Sequence, residues 1–204
     1  MRIVADSREQ LPFVFGHPKY AGTAVEIGTL SVGDYSVGGL TDRVAVERKS
    51  LPDLVACLAA ERARFERELQ RAAALDAFCV VVEASWADLA SGQYRSQLNP
   101  HSACQSVLAF EVRYRIPFHF AGSRAAAEYC TWGFLKQYLA GALKRYGAIA
   151  KAAEDVEVKR PVPAARPRVS ASQTEAEAVR DLEAMGKRLD AKKQETAVNR
   201  RIAA

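Results

Sequence analysis

Two acidic residues and a lysine, Asp34, Glu47 and Lys49, have the types and spacing that suit metal-assisted chemistry on a phosphodiester. If the chain between the acidic residues folds as a hairpin about residues 40 and 41, positions 34 and 47 face each other across the ladder. Directly opposed side chains have Cβ atoms about 4.5–5.5 Å apart, so two carboxylates there repel each other unless a cation lies between them. A divalent metal ion is the simplest such cation.

Strand alternation gives this hairpin two different faces. Glu47 and Lys49 point to one face, and Arg48 points to the other. Carboxylates are hard ligands for Mg²⁺ or Mn²⁺, which would polarise a phosphate and lower the pKa of a bound water. Lys49 would orient that water or stabilise the developing charge, and Arg48 would be a structural or phosphate-contacting partner. The alternative is a hairpin that carries only charged surface residues and a Gly-Asp turn.

Alternating strands and helices are predicted to position these residues. The hydrophobic pattern predicts strands at residues 2–5, 24–30, 35–37, 43–49, 78–83 and 116–121. It predicts one helix from an N-cap at Ser50 through Ala72, a helical turn at residues 85–90, and helices at 102–113 and 124–151. The apolar run at residues 78–83 is typical of a strand covered on both faces. This alternation indicates an α/β layered domain with a largely buried sheet.

Several segments resemble one nuclease family. Residues 32–35 read VGDY and residues 46–54 read VERKSLPDL. Together they resemble the G-D…E-R-K-x-x-x-D signature of the XPF/MUS structure-specific endonuclease family. Three further matches follow in the right order, namely DSRE at 6–9, RF at 64–65 and VVVE at 80–83. The resemblance covers residues 2–85 closely and residues 86–150 by element order alone.

The resemblance implies a fold, an activity and a substrate class. The fold is a restriction-endonuclease-like three-layer domain, in which a central mixed sheet is flanked by helices. The activity is Mg²⁺- or Mn²⁺-dependent cleavage of branched DNA, such as 3′ flaps, forks or nicked junctions. Nuclease domains of this family commonly pair, so the resemblance also implies a homodimer or a heterodimer through this domain.

The resemblance further implies roles for individual residues. Asp34 and Glu47 correspond to the main metal ligands and Lys49 to the catalytic lysine. The supporting acidic residues are Asp6, Glu9 and Asp53, and the accompanying basic residues are Arg8 and Arg48. Asp53 has the alternative of only capping its helix, and Arg8 of only neutralising the acidic cluster. Glu83 is interpreted as ending its strand. Family members commonly have Gln where this chain has Glu68, which departs from the pattern.

Basic and aromatic residues supply candidate contacts to DNA. On the helix after the signature, Arg64, Arg67 and Arg71 cluster on one flank, where they could neutralise phosphates together with Arg8. The alternative is a solvated face whose arginines pair with nearby glutamates. Tyr94 and Arg95 lie in a predicted polar loop, and they could contact an unpaired strand.

Composition is compatible with a DNA-associated protein inside the cell. The 204 residues include 29 Lys and Arg against 24 Asp and Glu, a net charge of +5. A mild basic excess fits nucleic acid without demonstrating it. The four cysteines stand far apart, which argues against a zinc site or a disulfide framework. No apolar run is long enough for a membrane span and no signal-peptide pattern opens the chain, so we expect a cytoplasmic protein.

The composition changes near the end of the predicted nuclease domain. We expect the domain at residues 1–155, a linker rich in proline and arginine at 156–172, and a charged, partly helical tail at 173–204. Nothing downstream resembles the family's tandem helix-hairpin-helix module. The sequence therefore predicts a DNA endonuclease. The alternative is a catalytically idle nuclease-fold module that binds DNA or pairs with another protein.

Overall fold

The computed structural model describes residues 1–154, and the predicted linker and tail lie outside the described residues. The six strands are β1 (Arg2–Asp6), β2 (Ala24–Gly28), β3 (Tyr35–Val37), β4 (Val44–Lys49), β5 (Ala77–Val82) and β6 (Phe118–Phe120). The five α-helices of this part are α1 (Leu51–Leu58), α2 (Arg62–Ala72), α3 (Trp86–Ala90), α4 (Pro100–Tyr114) and α5 (Arg124–Glu154). None of these helices is long and apolar enough to cross a membrane.

The strands form one mixed sheet in the order β2-β1-β3-β4-β5-β6. Strand β3 runs antiparallel to both β1 and β4, whereas the β1–β2, β4–β5 and β5–β6 pairs are parallel. Strands β3 and β4 follow each other in the chain and are antiparallel, so a short turn can join them. The parallel strands β4 and β5 need a crossover, which helices α1 and α2 supply. The signature residues therefore lie on a hairpin in the middle of the sheet.

Helices cover both faces of the sheet, so the domain has three layers. Val80 and Val82 of β5 pack with residues of α1, α2 and α4 on one face. Cys79 and Val81 of the same strand pack on the other face, where α5 contributes Leu135. This alternation explains why β5 is continuously apolar, and it confirms the predicted three-layer α/β arrangement with its buried central strand.

The single helix predicted after Ser50 is in fact two helices. At the end of α1, Ala59 leaves the helical region (φ −117°, ψ −100°). The N–H groups of Ala59 and Glu61 both donate to the carbonyl of Ala56, over 3.1 and 2.9 Å, which closes one helix before the next begins. No Gly or Pro marks the break, and the apolar residues keep a helical period across it, so the pattern concealed the break.

Other element ends shift by a few residues. Helix α4 begins at Pro100 rather than at residue 102, because Oδ1 of Asn99 accepts the N–H of Ser102 over 3.2 Å and proline suits the first turn. The short helix α3 has the predicted cap, in which Ser85 and Asp88 form a reciprocal capping box. Strand β2 ends at Gly28, two residues before the predicted end.

Candidate active site

The β3–β4 hairpin has the register that its sequence predicts. Tyr35 pairs with Val46, and Ser36 pairs with Ala45. Beyond this pair the N–H of Asp34 also turns to Val46, donating to its carbonyl over 2.8 Å, so the regular ladder ends at Tyr35. Asp34 and Glu47 therefore lie close together at the end of the ladder, where the Asp34 charge acts on Glu47.

Gly33 allows the chain to enter this ladder. Its φ is +77°, in the region that favours glycine. A Cβ at this position would lie 2.9 Å from the Cβ of Ala45 and 3.1 Å from the carbonyl oxygen of Val46. Any other residue would push the strands apart at the point where Asp34 is placed, so the Gly-Asp pair has a steric basis.

Glu47 and Lys49 share one face of β4 and contact each other. Glu47 is only 4% exposed, and the Lys49 ammonium donates to its Oε1. Burial, with the nearby Asp34 carboxylate adding to it, raises the pKa of Glu47 well above its usual range. Burial acts to lower the pKa of Lys49, but Glu47 outweighs this and raises it. Contact with the Glu47 carboxylate thus favours the charged form of Lys49 against the effect of burial.

Asp34 is the second carboxylate of the pair. Its Oδ2 accepts a hydrogen bond from the backbone N–H of Arg48 over 2.8 Å, which fixes the side chain. Burial raises the pKa of Asp34 to about 6, although this N–H and the Lys49 charge act in the opposite direction. Because the raised pKa values show that ionisation of both carboxylates is unfavourable here, a neighbouring cation would stabilise their charged forms. The pair is therefore suited to bind a cation.

Arg48 points to the opposite face, as predicted, and forms the centre of an ionic network. Its guanidinium binds Glu9 through two bonds of 2.9 and 3.0 Å and reaches Glu83 over 3.2 Å. Glu83 also accepts from Arg124 at the start of α5, over 2.8 Å, and Arg124 donates to the carbonyl of Leu11 over 2.6 Å. Glu83 therefore does more than end its strand, and Arg124 is a site residue that the sequence did not indicate.

Burial opposes the ionisation of Glu9 and of Arg48, but the hydrogen-bonded contact between them has the larger effect on their pKa values. Burial acts to raise the pKa of Glu9, yet its hydrogen bonds from Arg48 and from the N–H of Leu11 lower it overall. Burial likewise acts to lower the pKa of Arg48, and Glu9 raises it. The pair is charged at neutral pH and holds the loop after β1 against β4.

Asp6 and Arg8 form a second pair at the end of β1. Asp6 is 2% exposed, and its two oxygens accept from Nε and Nη2 of Arg8 over 2.6 and 3.0 Å and from the N–H of Leu30 over 2.7 Å. The Arg8 side-chain bond, with these backbone bonds, lowers the pKa of Asp6 to about 2 despite burial. Both oxygens are thus engaged by protein donors, and Arg8 does neutralise a carboxylate.

Asp53 lies on the first turn of α1. Its Oδ2 accepts from the hydroxyl of Ser50 over 2.6 Å, and the Ser50 Oγ accepts the Asp53 N–H over 3.3 Å. The cap expected from the sequence is therefore present, and it brings an exposed carboxylate to the rim of the site.

These groups line one open cleft of about 700 Å³. Its charged lining comprises Asp6, Arg8, Glu9, Asp34, Glu47, Arg48, Lys49, Asp53, Arg64, Glu68, Arg71, Glu83 and Arg124. All the predicted metal and catalytic residues thus come together. Glu68, which departs from the family pattern, also faces this cleft and raises the pKa of Glu47 further.

The predicted DNA contacts are divided between the cleft and its surroundings. Arg64 and Arg71 on α2 line the cleft with Arg8, and Arg64 also pairs with Glu61 over 3.2 Å. Arg67 and Arg95 are exposed away from this lining. Tyr94 is half-buried, and its hydroxyl donates to the carbonyl of Leu98 over 3.1 Å.

The donor set suits a hard divalent ion. Within residues 1–154, no three His, Cys, Asp or Glu side chains are grouped as a complete metal cage. Mg²⁺ generally does not need such a cage, because it keeps several waters and uses one or two carboxylates plus substrate phosphates. Asp34 and Glu47 supply two carboxylates at an open cleft, so the residues present fit Mg²⁺ or Mn²⁺ rather than a soft metal.

The family model of the ERCC4 domain matches residues 5–130, a span that holds the whole hairpin and its cleft. The chain belongs to the ERCC4 domain family. The predicted kinship with the XPF/MUS nucleases is thereby confirmed. Among curated proteins, no match to the chain was found.

Two solved structures resemble this ERCC4 domain protein. XPF from Aeropyrum pernix is 20% identical to this chain and superposes on it with a TM-score of 0.55. The match covers 74% of this chain and 69% of the XPF chain. A structure of XPF from Aeropyrum pernix in complex with DNA is 19% identical and has a TM-score of 0.53. This match covers 69% of this chain and 66% of the XPF chain. At this identity the likeness concerns the fold, and it identifies the six-stranded mixed sheet with its flanking helices as restriction-endonuclease-like.

Proposed function

We propose that this ERCC4 domain protein is a metal-dependent DNA endonuclease that cleaves branched or flap-type DNA. The observation that carries the proposal is the placement of Asp34 close to Glu47, with Lys49 on the same face as Glu47 and all three lining the cleft. A nuclease-fold module that only bound DNA would have no use for a buried and a half-buried carboxylate that both have raised pKa values.

In this mechanism, Asp34 and Glu47 would hold Mg²⁺ or Mn²⁺, and the bound ion would supply polarisation of the phosphate and a lower pKa of the attacking water. The Arg48 N–H fixes the orientation of Asp34, so that carboxylate needs no rearrangement. Lys49 stays protonated because Glu47 raises its pKa. It therefore serves as a fixed positive charge for the developing negative charge and not as a proton acceptor.

The remaining acidic residues support this pair. Asp6, Glu9 and Asp53 line the same cleft, but their oxygens already accept bonds from Arg8, Arg48 and Ser50, respectively. We assign them to positioning of the loop, the strand and the helix around the ion. Asp6, whose two oxygens each accept two bonds, would have to lose one before it could ligate directly, whereas only Oδ2 of Asp53 accepts a bond.

Basic residues at the cleft would bind the DNA backbone. Arg64 and Arg71 lie one helical turn to either side of Glu68 on α2 and face the cleft, where they could contact successive phosphates. Arg67, Tyr94 and Arg95 lie outside it and would contact DNA that leaves the cleft. One matched solved structure is a complex of XPF with DNA, and this supports DNA as the ligand. A second nuclease domain, from another copy or from a partner, would complete the substrate surface.

A panel of labelled DNAs tests this function. Flap, fork, splayed-arm and plain duplex DNAs are incubated with the full chain in Mg²⁺, in Mn²⁺ or in EDTA, and the products are separated on denaturing gels. We expect cleavage of the branched DNAs with either ion and none in EDTA. Cleavage in EDTA would refute the metal mechanism. Binding without cleavage in both ions would identify a catalytically idle module.

A further inference from the structure

Helix α5 carries a surface of stacked aromatic rings and lysines outside the cleft. The rings of Tyr129 and Trp132 stack, with centroids 6.2 Å apart and planes at 28°. The Lys19 ammonium lies 4.9 Å from the Tyr129 ring centre, and the Lys136 ammonium lies 4.4 Å from that of Trp132. We call these four residues the aromatic–lysine patch.

The patch is both rigid and accessible. Trp132 is held by a hydrogen bond from its Nε1 to Oγ1 of Thr23, over 2.9 Å, and by edge contact with the buried Tyr20 at 5.4 Å. Tyr129 is 53% exposed, far more than packing of the core requires. A fixed indole beside an exposed phenol ring forms a platform that a flat ligand can extend.

The charges of the patch are not neutralised locally. Lys19 and Lys136 are both exposed, and neither forms a salt bridge with a carboxylate within residues 1–154. Each ammonium instead lies over a ring, which is an interaction that a phosphate can replace. The platform therefore offers aromatic faces and two free positive charges within the same surface.

The position of the patch connects it to the cleft. Helix α5 begins at Arg124, which lines the cleft. At a rise of 1.5 Å per residue, Trp132 is about 12 Å and Lys136 about 18 Å along the helix axis from Arg124. An unpaired strand that leaves the cleft along α5 would reach the patch within a few nucleotides.

We propose that the aromatic–lysine patch binds an unpaired DNA arm of the substrate, with bases stacked on Tyr129 and Trp132 and phosphates held by Lys19 and Lys136. Proteins that bind single strands without sequence preference combine aromatic faces with positive charge in this way. The inference rests on the proposed function only for the identity of the arm, because binding itself needs no cleavage.

Tryptophan fluorescence gives a direct test. The chain has two tryptophans, so Trp86→Phe leaves Trp132 as its only one. This variant is titrated in EDTA with an oligothymidylate and, separately, with a blunt duplex of the same length. We expect the single strand to quench Trp132 and the duplex to quench it little. Equal quenching by both DNAs, or none by the single strand, overturns the proposal. Anisotropy of a labelled oligothymidylate with the unmodified chain repeats the measurement without substitution.

Matched variants on the same helix separate the patch from general effects. Tyr129→Ala is compared with Tyr146→Ala, because these residues are 53% and 55% exposed, and Lys136→Gln is compared with Lys144→Gln. We expect roughly a tenfold loss of oligothymidylate affinity for Tyr129→Ala. Lys136→Gln should make the negative slope of log affinity against log salt concentration shallower by about 0.7. An unchanged affinity in Tyr129→Ala, or an equal loss in Tyr146→Ala, contradicts the patch.

The same measurements distinguish this inference from the proposed function. They are made in EDTA, so they do not depend on an active enzyme. If the chain binds the single strand through Tyr129 but never cleaves any DNA, the patch stands and the endonuclease proposal fails. If the chain cleaves forks while Trp132 and Tyr129 are insensitive to the single strand, the endonuclease proposal stands and the patch fails.

Discussion

The backbone N–H of Arg48 donates a 2.8 Å hydrogen bond to Oδ2 of Asp34, across the β3–β4 hairpin. This bond joins the two halves of the nuclease signature directly. A register slip of one residue would break it and turn Glu47 and Lys49 to the opposite face of the sheet. The sequence distance between Asp34 and Glu47 is therefore a geometric requirement of the site.

Neutral variants of the central residues should abolish cleavage while preserving the fold. Asp34→Asn, Glu47→Gln and Lys49→Met each remove one charge from the reaction site, and we expect rates on a fork DNA to fall by at least about a hundredfold. Affinity for the fork in EDTA should change little, since none of these residues then contacts an ion. Asp42→Asn, whose side chain is 77% exposed in the hairpin turn, is the control. A Glu47→Gln protein with unchanged rate would exclude the mechanism.

Metal-free stability should depend on pH through Asp34. Because its pKa is raised from 3.8 to about 6, the folded state holds a proton that the unfolded state has lost between these values. Stability in EDTA should therefore fall as pH rises from 4 to 6, by up to about 3 kcal/mol for this group. Glu47, whose pKa is also raised, extends the decline to higher pH. Between pH 4 and 8, the melting temperature of Asp34→Asn should fall less than that of Asp42→Asn or of the unmodified chain. Parallel curves of melting temperature against pH for the three proteins would contradict this.

Divalent ions should stabilise the folded domain through the same two carboxylates. An ion that binds the folded state alone stabilises it by RT ln(1 + [ion]/Kd), so the melting temperature rises with ion concentration. Mg²⁺ or Mn²⁺ added to the metal-free chain at neutral pH should therefore raise the melting temperature, and the double variant Asp34→Asn/Glu47→Gln should show no such rise. A rise of equal size in both proteins would place the ion elsewhere.

Removal of Arg48 should destabilise the domain, and a second substitution should restore part of the loss. The side chains of Arg48 and Glu9 are 13% and 5% exposed, so Arg48→Met leaves a buried carboxylate without its partner. We expect a loss of about 3–5 kcal/mol in the free energy of unfolding. Glu9→Gln/Arg48→Met should be more stable than Arg48→Met, as measured by urea denaturation. Arg43→Met, at a side chain 51% exposed, is the control.

Residues 156–204 should be dispensable for folding, because their sequence offers no convincing apolar core. Deleting them should barely shift the melting temperature. If they act as a basic arm, the deletion should weaken DNA affinity and lower its salt dependence without changing the preferred junction. If they bind a protein partner, cleavage of naked DNA should be unchanged. A truncated chain that aggregates or loses its cooperative melt would show that the domain extends further.

Local features of the fold and site were predictable, and distant contacts were not. The register of the hairpin follows from a short turn between two strands, and the covered strand β5 follows from its apolar run. The break between α1 and α2 leaves no trace in the hydrophobic period. Contacts between distant residues are equally hidden, since Arg124 and Glu83 are 41 positions apart. An ionic network assembled from four separate segments has no sequence pattern of its own.

The ionic network also determines when the cleft can exist. The ribosome has synthesised the whole signature, residues 33–53, well before Arg124 is added at the start of α5. Until then Glu83 and the loop after β1 lack their contact with Arg124, and Phe13, Phe15 and Tyr35 lack the helix that covers them. A nascent or truncated chain that ends before α5 therefore carries the signature residues without an assembled cleft. The order of the elements along the chain delays assembly of the cleft until the domain is complete.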